Sequence, residues 1–101
     1  MTKLLAPVHP GEVLKEEFML PLGLSANGLA RAIRVPPNRI SAIINGERSV
    51  TADTALRLAK SLGTTPEFWL NLQRQYDLDC ARDAAKDIGR IEPIRARAGG
   101  G

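Results

Sequence analysis

The chain has 101 residues, of which 44% are hydrophobic and 25% charged, with a formal net charge of +3. That length and balance point to one small domain, with little room for more, and to a globular rather than a disordered chain. A single cysteine, Cys80, excludes an internal disulfide framework and fits a reducing cytoplasm.

Only Phe18, Phe68, Trp69 and Tyr76 are aromatic, and Ala and Leu are abundant, which favours an all-α fold. Residues 1–9 read as an extended lead-in with no signal-peptide apolar region, and no apolar run reaches the length of a membrane span. No membrane partner is therefore expected. Pro10 and Gly11 open the first helix, with Glu12 in its first turn, where negative charge suits the helix dipole. Val13, Leu14 and Phe18 form a buried stripe, and Pro21 and Gly23 are expected to end the helix. Ser25 caps a second helix over residues 26–33. The corner is Arg34-Val35-Pro36, with Arg34 at the position that usually takes a left-handed conformation.

A third helix runs from about Pro37 to Asn45 and stops at Gly46. Thr51 caps a fourth, with Ala55, Leu58, Ala59 and Leu62 as its inner stripe and Gly63 as its end. Thr65-Pro66-Glu67 starts a fifth, which carries Phe68, Trp69, Leu72 and Tyr76 and continues past Cys80. Ile91-Glu92-Pro93-Ile94-Arg95 alternates apolar and polar residues and predicts a short strand, placed to pair across a two-fold axis. The glycine-rich end should be loose. The expected organisation is a helix-turn-helix domain over residues 1–78 and a C-terminal extension over 79–101, serving dimerisation or forming a tail.

The most informative stretch is residues 25–45. Ala30 and Ile33 on one helix, Val35 in the corner, and Ile40, Ile43 and Ile44 on the next can clamp two short helices together. Asn38, Arg39, Ser41, Ala42 and Asn45 then face outward. This is the layout of a helix-turn-helix, whose second helix presents its N-terminal residues to base edges in the major groove. Charge supports it: residues 25–50 hold Arg31, Arg34, Arg39 and Arg48 against Glu47 alone. Asn38, Arg39 and Ala42 are the candidate base readers, because Asn pairs with adenine, Arg with guanine, and the Ala methyl meets the thymine methyl. Pro37 adds apolar contact. Ser41, Asn45 and Arg48, and the backbone amides near Ser25 and Asn27, are candidate phosphate contacts. The plain structural alternative is that Asn45-Gly46 is a helix stop and Arg48 a solvated loop charge.

Nothing in the pattern points to catalysis. His9 is the sole histidine, without ligand-spaced partners, and is assigned to the head of the first helix. No phosphate loop, Ser-His-Asp set or cofactor fingerprint is present, so neither an enzyme nor a cofactor is expected. Phe68 and Trp69 are assigned mainly to the core. Glu12, Glu16 and Glu17 form an acidic strip that would complement a basic partner; the plain alternative is a solvated helix face.

The ordered strings His9-Pro10-Gly11-Glu12, Glu16-Glu17-Phe18, Pro21-Leu22-Gly23-Leu24-Ser25, Val35-Pro36-Pro37-Asn38-Arg39-Ile40, Asn45-Gly46, Thr51-Ala52-Asp53-Thr54-Ala55-Leu56-Arg57-Leu58-Ala59 and Glu67-Phe68-Trp69-Leu70-Asn71-Leu72-Gln73 resemble the HigA family of antitoxins. That family is of the XRE type, a lambda-repressor-like fold. The resemblance covers about residues 7–80. It implies a five-helix, homodimeric repressor of its own operon that binds a palindromic operator. It also implies a toxin partner, a HigB-type ribosome-dependent mRNA endonuclease, for which Glu12, Glu16 and Glu17 are candidate contacts. Three positions depart from the wider XRE-type pattern: Ala26 stands where Gln is common, Arg34 where Gly is, and Pro36 where a polar cap is. Two alternatives remain open on sequence: a stand-alone regulator without a toxin, and a toxin-binding module that has lost DNA binding.

Overall fold

The computed structural model describes residues 6–94. Its architecture is five helices packed around one core, followed by a short 3₁₀ turn. Helix α1 is a continuous rod built of Pro10–Val13, a π-helical stretch Leu14–Met19 and a final turn Leu20–Leu22. Helix α2 is Ala26–Ile33, α3 is Pro37–Ile44, α4 is Ala52–Leu62 and α5 is Pro66–Ala84.

The caps are those the sequence specifies. His9 Nδ1 accepts the Gly11 N–H at 2.8 Å, Ser25 Oγ accepts the Gly28 N–H at 2.9 Å, and Thr65 Oγ1 accepts the Phe68 N–H at 3.1 Å. Each satisfies an amide that has no partner inside its helix. Gly23, Gly46 and Gly63 stop three helices in left-handed backbone, as expected of helix-ending glycines.

Pro21 does not end the first helix. The rod continues through it to Leu22 because the hydrogen-bond register shifts just before it: the Leu20 N–H donates five residues back, to Lys15 O. The π turn thereby changes the register where the proline ring has no N–H to give.

Helices α2 and α3 pack on each other, α4 packs on α5, and α1 crosses both α3 and α5. Leu14, Leu29, Ala30, Ile40, Ile43, Ala55, Leu58 and Trp69 are fully buried where these layers meet. Trp69 is anchored by its Nε1–H, which donates to Thr64 Oγ1 at 2.8 Å, and Phe18 and Phe68 tilt against its ring. Phe68 itself remains partly exposed, so only the tryptophan of that pair belongs wholly to the core.

The expected strand at 91–94 is absent. Residues Ile88–Arg90 form a 3₁₀ turn, and residues 91–94 are exposed and without regular structure, Ile94 completely so. A strand needs a neighbour for its backbone groups, and no described segment of the chain offers one; Pro93 also lacks an N–H. Arg95 and the glycine-rich end lie outside the described residues, as do residues 1–5 of the expected lead-in.

Candidate nucleic-acid interface

The candidate interface is built on the corner between α2 and α3. Arg34 occupies it with φ 63 and ψ 49, the only described residue other than glycine with positive φ. Its N–H donates to Arg31 O at 3.3 Å, and the Val35 N–H donates to Ala30 O at 3.0 Å. This double closure satisfies the last carbonyls of α2 and turns the chain sharply. Val35 is then buried under the corner beside Ile33. Pro36, with φ −62 and ψ 144, and Pro37 at the first helical position start α3 without any side-chain cap. Prolines suit that place, where an N–H would have no partner anyway.

Ile40 and Ile43 point inward and are fully buried. Asn38 and Asn45 are exposed, and so are Pro37 and Arg48. Ser41 and Ala42 are half-buried, less open than their sequence positions suggested. The Ser41 hydroxyl donates to Pro37 O at 3.4 Å within its own helix. Asn27 is exposed in the first turn of α2, and the Ser25 oxygen is occupied by its cap. The His9 imidazole lies edge-on to Tyr76 at 4.8 Å between centroids. Burial lowers its pKa, opposed by the Asp77 charge and the Arg48 carbonyl.

Arg39 is half-buried rather than free. Its Nη1 lies 3.2 Å from Asp53 Oδ2, in the first turn of α4. Asp53 Oδ2 also accepts from Arg57 Nε at 3.0 Å, and Arg57 Nη1 donates to Ile33 O at 3.0 Å. Arg57, first, and then Arg39 hold the Asp53 carboxyl below the usual carboxylate range. Sequence reasoning missed this pairing. The Asp53–Arg57 spacing of one helical turn was the available signal; the link to Arg39 had none.

A second missed residue is Gln73. It is buried on α5, accepts the Val50 N–H at 2.7 Å and donates to Asp77 at 2.9 Å, and so ties the loop after α3 to the last helix. Glu12, Glu16 and Glu17 are all exposed on α1, and none joins an ion pair among the described residues.

The helix-turn-helix family pattern matches residues 14–69. Antitoxin HigA-1 of Vibrio cholerae is 50% identical over 89 residues, covering 87% of this chain and 84% of that relative. The chain belongs to the HigA family of antitoxins. Among solved structures, a HigA-family addiction module antidote protein from Coxiella burnetii shares 53% identity with a TM-score of 0.82, covering 88% of this chain and 99% of that one. The antitoxin GraA in complex with its operator shares 46% identity with a TM-score of 0.83, covering 91% and 95%. The HigA-family fold therefore carries operator binding in a close structural neighbour. In the present HigA-family chain the corner, the α3 surface and the Arg48 loop lie within the stretch matched to the helix-turn-helix pattern.

Proposed function

We propose that this chain is an antitoxin and autorepressor. It binds a palindromic operator in its own promoter as a homodimer, in the cytoplasm, and it neutralises a HigB-type mRNA endonuclease. The observation that supports the reading most is the likeness to operator-bound GraA, at 46% identity over nearly the whole of both chains. It is joined by a chemically suitable surface: exposed Asn38 and Asn45, half-buried Arg39, Ser41 and Ala42, and the local excess of arginine.

In this reading α3 lies in the major groove. Asn38, Arg39 and Ala42 read base edges, and Pro37 makes apolar contact. Ser41, Asn45 and Arg48 meet phosphates, together with the first-turn amides of α2 beside Ser25 and Asn27. A dimer supplies two such helices, about one turn of DNA apart. Residues 79–101 are the proposed dimerisation extension beyond the 1–78 domain, and the exposed Ile88 within it and Leu78 beside it fit a contact surface. The exposed strip of Glu12, Glu16 and Glu17 faces the toxin, since a nuclease that must approach RNA is expected to be basic.

Two experiments test the reading. In a gel shift, the chain should retard its own upstream promoter fragment and not a scrambled one, with affinity falling steeply as salt rises. Flat salt dependence or equal binding to both fragments rejects operator recognition. Co-expression with the adjacent open reading frame should yield a co-purifying complex and rescue growth; toxicity unrelieved by this chain rejects the antitoxin role.

A further inference from the structure

Asp53 is the meeting point of two arginines from different helices. One carboxylate oxygen accepts from Arg39 at 3.2 Å and from Arg57 at 3.0 Å, and Arg57 continues to the carbonyl that ends α2. A relay therefore runs from the end of α2, through the start of α4, to the third residue of α3. The Nε of Arg39 is buried and has no hydrogen-bond partner. An arginine free to choose its rotamer would turn that donor towards an acceptor. Here the stem is packed in one place and the head is held by the carboxylate.

The pair contributes little to folding, because the Asp53 side chain is 57% exposed and exposed ion pairs are weak. An exposed carboxylate is also out of place, on electrostatic grounds, beside a surface that approaches a polyanion. Its position is explained by what it does to Arg39. An untethered arginine on a recognition helix reaches any nearby phosphate and adds affinity without sequence information. A tethered one makes only the contact available at its fixed place, which discriminates among sequences.

We propose that Asp53 is a specificity-determining positioning residue: it holds Arg39 in one orientation on α3. The inference rests on the operator-binding reading above. Arg57 secures the carboxylate, so that the tether is fixed at both ends.

The test is fluorescence anisotropy with the full chain on its own promoter fragment and on a scrambled fragment, each at several salt concentrations. Asp53→Asn, Asp53→Glu, Arg39→Ala and the Asp53→Asn/Arg39→Ala double variant are compared, with circular dichroism melts confirming that each is folded at the assay temperature. Asp53→Asn should bind scrambled DNA more tightly and lower the operator-to-scrambled ratio about tenfold, the discrimination a single well-placed arginine carries. Its log–log salt slope on scrambled DNA should steepen by about one unit for each freed arginine. Asp53→Glu should retain most of the ratio. In the Arg39→Ala background, Asp53→Asn should leave the ratio unchanged. A wild-type ratio and slope in Asp53→Asn overturns the proposal, and so does an equal loss with and without Arg39. A wild-type chain that fails to discriminate the two fragments rejects the operator reading itself, and this inference with it.

Discussion

At its C-terminal end, helix α3 rests against bare backbone; at its N-terminal end it is held by exposed charge. A Cβ built on Gly11 of α1 would lie 1.8 Å from the carbonyl oxygen of Ile43 and 2.8 Å from the Ile44 Cα. The glycine is there because α1 crosses α3 too closely for any side chain. Gln73 braces the loop that follows through the Val50 amide. At the N-terminal end, Arg39 pairs with the half-exposed Asp53 at 3.2 Å. Steric contact is short-ranged and unforgiving, whereas an exposed ion pair is weak and screened by salt. One end is therefore fixed by backbone contact, and the other by an ion pair that positions the Arg39 side chain.

That contrast is most easily broken at Gly11. Gly11→Ala should destabilise the fold by about 3 kcal/mol, because backbone rather than a flexible side chain must move. Urea unfolding measures it, and a loss below about 1 kcal/mol, the lower bound for overpacking, would show that the crossing can relax. At the other end, Arg39→Ala should weaken operator binding by about 1–3 kcal/mol. The same change should lower folding stability by only about 0.2–1 kcal/mol, the range of an exposed pair. Anisotropy and denaturation on one preparation separate the two effects; a reversed order would make Arg39 a structural residue instead of a reader.

Arg34→Gly sharpens the comparison at the corner that precedes α3. Relief of the left-handed backbone, worth about 1–2 kcal/mol, is offset in part by glycine's greater unfolded freedom, for a net gain of up to about 1 kcal/mol. A lower urea midpoint for this variant would mean that the Arg34 side chain contributes contacts that outweigh its backbone strain.

The smallest effect concerns pH at the braced end. Burial places the folded-state pKa of His9 below the usual imidazole value, so the folded chain favours the neutral ring. Its contribution is fully present above about pH 6.5 and is lost as pH falls from there towards the lower folded value, because the unfolded chain takes up the proton first. Melting temperature should decline between pH 7 and pH 5.5 more steeply, by a small margin, in the wild type than in His9→Asn, whose side chain still caps α1. Parallel declines would remove His9 from the account.

Much of the fold was legible because its signals are local. Ser25, Thr51 and Thr65 act on amides within one turn, Gly46 and Gly63 end their helices, and the isoleucine spacing marks the inner side of α3. The corner at Arg34 was legible for the same reason. Pro21 misled because the rule that proline ends a helix assumes α register, and α1 changes register just before it. The 91–94 alternation misled because a strand is defined by a partner, and the alternating pattern carries no information about one. At the candidate interface, the sequence proposed Arg39 and Asn38 by position, but it did not show that Arg39 is tethered.

The amino-acid sequence by itself thus determined the helices, their caps, the helix-turn-helix corner and the chemistry available on α3, since each depends on residues within a turn or two of one another. It also carried, through its ordered strings, the likeness to the HigA family. Tertiary structure alone decided the Arg39–Asp53 link, the Gln73 bond to Val50 and the approach of Gly11 to Ile43. Those partners lie on different elements, as with the separations of 14 and 23 residues for Arg39–Asp53 and Val50–Gln73, and only packing of the helices brings them within hydrogen-bonding or van der Waals reach.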